Sequence, residues 1–173
     1  MYTYKEPLIF VLSGKAKSGK NLIADKIENY YKNKRCIQIS YAFYLKNYVK
    51  NIYDWNGSEE DKPRELLQKI GIDLIKNKID SNLLIRRVCE DIKVYSYFYD
   101  IIIITDARLK DEIEIPKRLF NNAVTIRIDS IYYDKKMTIE QMNHITETNL
   151  DNYDKFDYII NDFDKLEEIL SKI

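Results

Sequence analysis

Residues 8–21 read LIFVLSGKAKSGKN, an apolar run that leads at once into a glycine-punctuated basic turn. The run Leu8–Ser13 is too short for a membrane span or for the apolar region of a signal peptide, so it reads as a buried strand. The turn Gly14-Lys15-Ala16-Lys17-Ser18-Gly19-Lys20-Asn21 fits the pattern G-x-x-x-x-G-K, and helical periodicity follows from Gly19 to about Asn33. In a strand-turn-helix context the glycines let the backbone curl so that successive N–H groups point inward. The helix N-terminus adds partial positive charge, and Lys20 can reach the β- and γ-phosphates of a bound polyphosphate. A shuffled chain of this composition would show the pattern about once in a hundred, so a plain basic surface turn is the weaker alternative. The eighth position usually carries a hydroxyl that ligates Mg²⁺; here Asn21 offers an amide oxygen, which can ligate or hold a metal-bound water.

Outward from this turn, short Ile- and Val-rich runs alternate with amphipathic stretches. Strands are expected at Leu8–Ser13, Arg35–Ser40, Asp100–Thr105, Ala123–Ile128 and Tyr158–Asn161. Helices are expected from Gly19, from Ala42 to about Tyr53, over Lys110–Phe120, near Glu147–Tyr153 and over Lys165–Ile173, with a polar stretch at Asp129–Asn143. Between the second and third strands lie two more helices. One is capped by Asp61 with Pro63 in its first turn and runs through Leu66, Leu67, Ile70 and Leu74; the other carries Leu84, Val88 and Ile92. The four consecutive isoleucines after Asp100 are apolar on both faces, as the central strand of a helix-covered parallel sheet must be. The pattern predicts an α/β three-layer sandwich with a five-stranded parallel sheet.

The chain of 173 residues is 45% hydrophobic and has no linker-like tract, which points to a single domain over residues 1–173. Its 28 basic side chains balance 28 acidic ones, and a pI near 6.6 supplies no field for nucleic acid. With only Cys36 and Cys89, neither a disulfide framework nor a Cys-rich metal cluster is available, and a reducing, cytoplasmic location without membrane attachment is expected.

A second constellation follows the isoleucine strand: Thr105-Asp106-Ala107-Arg108, with Glu112 four residues on. Carboxyl ends of neighbouring strands open onto one crevice, so Asp106 and Lys20 are expected as neighbours. An acidic group there can hold Mg²⁺ through water, and the planar fork of Arg108 can grip a phosphate twice. The competing reading makes Asp106 a helix cap and Arg108 with Glu112 a surface i,i+4 pair.

Taken in order, several further segments complete a resemblance. They are Tyr41-Ala42 with Leu45-Lys46, Asp54-Trp55-Asn56-Gly57, Arg64-Glu65-Leu66-Leu67-Gln68 with Gly71, Arg86-Arg87, His144 with Glu147, Leu150-Asp151, and Phe156-Asp157-Tyr158-Ile159-Ile160-Asn161. Together with Gly14–Asn21 and Thr105–Arg108 they resemble the phage and bacterial deoxynucleoside monophosphate kinases, P-loop kinases related to adenylate kinase. The resemblance spans nearly the whole chain. It implies ATP as co-substrate on Gly14, Lys15, Ala16, Lys17, Ser18, Gly19, Lys20 and Asn21, with Asn161 nearby, and Mg²⁺ held by Asn21 and Asp106 through water. It implies an acceptor monophosphate under inserted helices at about 54–99, contacted by Tyr41, Arg64, Gln68, Arg87 and Arg108. Lys20, Asp106 and Arg108 then carry the transfer, and a short lid at about 129–146 has Arg127, Lys135, Lys136 and His144 to offer. Arginine is scarce, seven against 21 lysines, and four of the seven (Arg64, Arg86, Arg87, Arg108) fall near the expected crevice, where bidentate phosphate recognition favours them. Tyr41 is read either as a base-stacking ring or as core, and His144 either as a ligand contact or as a cap.

These features predict an ATP-dependent nucleoside monophosphate kinase acting on a deoxynucleotide, as a monomer or homodimer. Another small-molecule phosphate kinase and a non-catalytic nucleotide-binding protein are the alternatives.

Overall fold

The computed structural model describes residues 3–129, 138–162 and 164–173. Lys135 and Lys136 lie outside the described residues. Strands β1 (Leu8–Ser13), β2 (Cys36–Ile39), β3 (Ile101–Ala107), β4 (Ala123–Ile128) and β5 (Tyr158–Ile160) form one sheet in the order β2-β3-β1-β4-β5, with every pairing parallel. The helices are α1 (Lys20–Tyr30), α2 (Ala42–Ile52), α3 (Arg64–Gln68), α4 (Leu83–Tyr95), α5 (Lys110–Leu119), α6 (Ile139–Asn143), α7 (Ile145–Thr148) and α8 (Lys165–Leu170).

The isoleucine strand is central because it is flanked on both sides: Ile101–Ile104 pair with Leu8–Val11 of β1 and with Cys36–Ile39 of β2. Side chains alternate across the pleat. Ile102 and Ile104, with Ile9 and Val11, pack against Ile85, Val88, Cys89 and Ile92 of α4 and Ile113 of α5. Ile101 and Ile103, with Phe10 and Leu12, pack against Ile23, Ala24 and Ile27 of α1 and Leu166, Ile169 and Leu170 of α8. Helices thus cover both faces, and the three-layer architecture follows from one strand being apolar on both sides.

The chain leaves β1 toward β2, returns to fill the gap with β3, and then crosses β1 to lay down β4 and β5. The direction of winding reverses at β1, and the carboxyl ends around that reversal open a crevice. Gly14–Gly19 sits at this point.

The inserted region differs from its expected form. Asp61 does not cap a helix: its N–H donates to Ser58 Oγ at 3.2 Å, and α3 starts at Arg64 with Pro63 in the cap position. Beyond α3 the chain continues over Lys69–Ile79 in the wider π winding, and Asp80 N donates to Ile75 O, five residues back. That winding turns the apolar face away from 3.6-residue periodicity, so Leu74 is 44% exposed while Ile75 is 5% exposed. A third, smaller core of Val49, Trp55, Leu67, Ile70 and Ile75 holds this region together. The stretch expected to be only polar contains α6, whose start is fixed by a reciprocal pair: Thr138 Oγ1 accepts from Gln141 N and Gln141 Oε1 accepts from Thr138 N. Among the described residues no helix is long and apolar enough to cross a membrane.

Candidate active site

The phosphate loop requires its glycines. A Cβ on Gly14 would stand 2.3 Å from Ser18 Oγ and 2.8 Å from the carbonyl oxygen of Ile128, and Gly19 (φ 95°) is left-handed where the loop enters α1. Lys17 also takes the left-handed region, at φ 58°. Lys20, only 8% exposed, folds back over the loop and donates through Nζ to the carbonyls of Gly14 and Lys15, both at 2.7 Å. Burial, and next the positive charge of Arg108, push its pKa down to about 7.

Asp106, at the carboxyl end of β3, lies within electrostatic reach of Lys20. Its Oδ1 accepts from Tyr41 N at 2.8 Å and its Oδ2 from Ala42 N at 2.9 Å. It therefore caps the first turn of α2 from across the sheet. The capping alternative is met, but on a different helix from the one that follows Asp106 in sequence. One accepted bond per oxygen leaves each oxygen a further lone pair facing the crevice.

Arg108 and Glu112 are not a surface pair. Glu112 Oε2 accepts from the backbone N–H groups of Arg108, at 2.6 Å, and Leu109, at 2.9 Å, so it fixes the turn between β3 and α5. Burial pushes this carboxyl up to about 7, and the two N–H bonds resist that shift only in part. The Arg108 guanidinium instead meets Glu147, donating from Nη1 to Oε1.

Glu147 belongs to a strap, residues 144–151, that crosses the ends of β1, β3 and β4. Its second oxygen, Oε2, accepts from Ala16 N in the phosphate loop at 3.0 Å. Asn149 Oδ1 accepts from Lys110 N at 2.9 Å, and Asp151 accepts from Lys15 Nζ at 3.0 Å. Arg127, buried at the end of β4, reaches Ser13 Oγ at 3.3 Å and lies 3.7 Å from Asp151. His144 acts as a cap: its Nδ1 accepts from Thr146 N at 3.3 Å at the start of α7, and it does not line the cavity.

One cavity of about 720 Å³ joins these parts, in the upper part of the roughly 300–1,000 Å³ typical of small-molecule sites. Its floor is Ala16–Asn21 with Asp106, Arg108 and Glu112; its far wall comes from α2, α3 and the π segment, with Leu45, Leu67, Ile72 and Ile75 apolar and Lys46, Lys62, Arg64, Gln68 and Lys76 polar. Lys62 bonds Glu59 at 2.9 Å, and burial lowers its pKa. The expected Arg64 and Gln68 are thus brought to the same space as Lys20 and Arg108. Lys62, Lys76 and Glu59 were not expected there; in sequence they look like ordinary surface charges, and only the packing of the inserted helices turns them inward.

Arg87 and Asn161, like His144, lie away from the cavity, and Tyr41 borders it as a core residue. Arg87 lies on the outer face of α4, its guanidinium 5.1 Å from the Tyr44 ring centre and 6.0 Å from that of Tyr48, because the apolar stripe of α4 turns it away from the cavity. Neighbouring Arg86 pairs with Asp80 at 2.5 Å outside it. Tyr41 is 2% exposed and gives its hydroxyl to the carbonyl of Glu112 at 2.7 Å, so its ring is core and not a platform for a base. Asn161 is exposed at the end of β5, where its amide oxygen accepts from Lys165 Nζ at 3.3 Å.

Asn21 and Asp106 face the cavity together, and among the described residues no group of three or more His, Cys, Asp or Glu could cage an ion. This donor set suits Mg²⁺, which retains several waters and relies on one or two protein oxygens plus substrate phosphates.

No curated protein sequence matches the chain. Among solved structures, a Mycobacterium tuberculosis APS kinase superposes with a TM-score of 0.50 at 10% identity, covering 96% of each chain, which shows a shared fold. A Bacteroides thetaiotaomicron shikimate kinase gives 0.48 at 14% identity over 95% of each chain. The model of one family, described as deoxynucleotide monophosphate kinase, matches residues 32–173, everything beyond α1, and the chain belongs to that family.

Proposed function

We propose that the cavity seats ATP and a deoxynucleoside monophosphate together and that the protein transfers the γ-phosphoryl group from one to the other. The observation that carries the reading is the single cavity in which the phosphate loop faces Arg64, Lys46 and Lys62 of the inserted region across Asp106 and Arg108. The family match stops short of the phosphate loop, so motif and family support the reading independently.

The triphosphate lies on the N–H groups of residues 19–21 at the start of α1, with Lys20 leaving the carbonyls of Gly14 and Lys15 for the β/γ-phosphates. Its lowered pKa returns upward as that negative charge arrives. Arg108 and Arg64 hold the acceptor phosphate, so that one of its oxygens attacks the γ-phosphorus as the bond to the β–γ bridging oxygen breaks and ADP departs. This chemistry asks mainly for positioning and charge neutralisation, which lysine, arginines and backbone N–H groups supply. Asn21 and Asp106 would hold Mg²⁺ through water, and the ion would supply further charge neutralisation. Aliphatic side chains of the far wall receive the base, and Gln68 offers it an amide.

A coupled assay of ADP release, run with ATP over all common nucleoside and deoxynucleoside monophosphates and a few non-nucleotide phosphates, tests the reading. Multiple turnover is expected with at least one deoxynucleoside monophosphate and to depend on Mg²⁺. Turnover confined to non-nucleotide phosphates, or no turnover despite ATP binding, overturns it.

A further inference from the structure

We propose that Glu147 is the positioning residue that aims Arg108 at the transferred phosphate; the inference rests on reading the cavity as a monophosphate kinase site. Arg108 stands at the meeting of the two half-sites, and two different carboxylates hold its two ends. Glu112 pins its backbone N–H, and Glu147 holds the guanidinium. The Glu147 side chain is 8% exposed, and both of its oxygens are committed, one to Arg108 and one to Ala16 N of the phosphate loop. A buried carboxylate paired in this way fixes a geometry more than it adds stability.

The element behind Glu147 is itself fixed. His144 caps α7, Leu150 is buried in the core beneath the sheet, Asn149 is bonded to the first turn of α5, and Asp151 to Lys15. The guanidinium is therefore tied to the loop that holds the donor phosphates and, through its own backbone, to the strand that carries Asp106. Contact with Glu147 uses Nη1, leaving the rest of the planar fork for an incoming phosphate. Electrostatics give Glu147 a second task. Burial lowers the Lys20 pKa first and the positive charge of Arg108 adds to that, while Glu147 acts against it and also pairs with Arg108. Without that carboxylate two cations would face each other across the empty site, and the longer, more mobile arginine would swing outward.

The test compares wild type, Glu147→Gln, Glu147→Asp, Arg108→Lys and the double variant Glu147→Gln/Arg108→Lys. Steady-state kinetics are read with the best acceptor and ATP affinity by calorimetry. Glu147→Gln keeps the shape and an oxygen for Ala16 but loses the charge. It is expected to lower kcat at least about tenfold and raise the acceptor KM while ATP affinity stays within about twofold. The double variant is expected to be no worse than Arg108→Lys, because Glu147 acts through Arg108. Glu147→Asp keeps the charge but is too short to hold both partners, and is expected to fall between wild type and Glu147→Gln. Effects that multiply in the double variant overturn the proposal. So does tighter ATP binding by Glu147→Gln, which would mean that the carboxylate merely occupies a phosphate seat in the empty protein. A separate arm needs no turnover: the Arg108 Nε–H resonance in ¹⁵N spectra of the free protein is expected to be sharp in wild type and broadened in Glu147→Gln. Identical spectra overturn the proposal. Wild-type protein that turns over no acceptor defeats the kinase reading alone, and the spectra still decide what holds Arg108.

Discussion

Two titratable groups of the site are held far from their ordinary states, and each carries a prediction. Lys20 is buried among the carbonyls of the loop it serves, so Lys20→Ala removes a charge that the fold does not need. Turnover should fall on the order of 10²–10³-fold and ATP affinity should weaken, with the melting temperature kept, as calorimetry and a thermal melt would show. Glu112 is the converse case, a carboxyl raised to about 7 by burial, with Asp106 pushing the same way and Arg108 against it. Its folded pKa lies above the unfolded value of about 4.3, so the native state binds the extra proton between those values. The stability this group contributes is present below the unfolded pKa and is lost as pH rises through about 7. Glu112→Gln keeps an acceptor for the Arg108 and Leu109 N–H groups and cannot titrate. Urea unfolding at pH 5 and pH 7.5 should show wild type losing on the order of 1–2 kcal/mol more than the variant between the two, discounted for the part of the side chain that meets solvent. Equal losses in both would mean that Glu112 stays charged. What was legible at this scale is the local motif: Lys20 and its glycines announce themselves within eight residues. Glu147 enters only as part of the resemblance and with no role, because its partners stand 131 and 39 positions away.

Between elements, the decisive link is the clasp of Asp106 on α2, which ties the strand at the crevice to the helix that begins the far wall of the cavity. Asp106→Ala loses both accepted N–H bonds and should cost about 1–2 kcal/mol as well as turnover. Asp106→Asn keeps one oxygen for the helix but turns its NH2 on the other N–H and loses the negative charge beside Lys20, so it should give up part of that stability, with turnover falling and more Mg²⁺ needed. Asn21→Ala should be milder than either. Melting temperatures and Mg²⁺ titrations of the three variants check this order, and Asn21→Ala as the most damaging would move the metal to the loop. The strands were legible because runs such as Ile101–Ile104 are apolar on both faces, whatever register they take. The far wall was legible only as helical: after Gln68 it takes a π winding packed close on α2, where Gly71 would bring a Cβ to 3.1 Å of Leu45, and Leu74 stands out while Ile75 stands in. The misplacement of Arg87 has the same origin: periodicity shows which face of α4 is apolar but not on which side of that face the cavity opens, and Arg87 stands by Tyr44 and Tyr48 away from it.

The whole molecule is three unequal cores. Two of them share the sheet and cover its faces, while the third, built on Val49, Trp55, Leu67, Ile70 and Ile75, belongs to the inserted region and meets the rest through α2 and through Leu83 and Leu84 of α4. A small core opens at lower cost than a large one, so the far wall of the cavity is expected to move more readily than the sheet body. A ligand that bridges this wall to Arg108 stabilises the closed arrangement by its differential affinity for it, whereas ATP on the phosphate loop touches chiefly the sheet body. The chain's single tryptophan reports on this difference. Trp55 is buried in the third core, donates Nε1–H to Ser58 O at 3.2 Å and has Lys50 Nζ 5.8 Å from its ring centre. Acrylamide quenching of its emission should therefore decrease when a productive acceptor monophosphate is added and change little with ATP alone. An equal response to ATP alone would place the moving part at the phosphate loop, and no response to an acceptor that is turned over would mean that the wall is already closed.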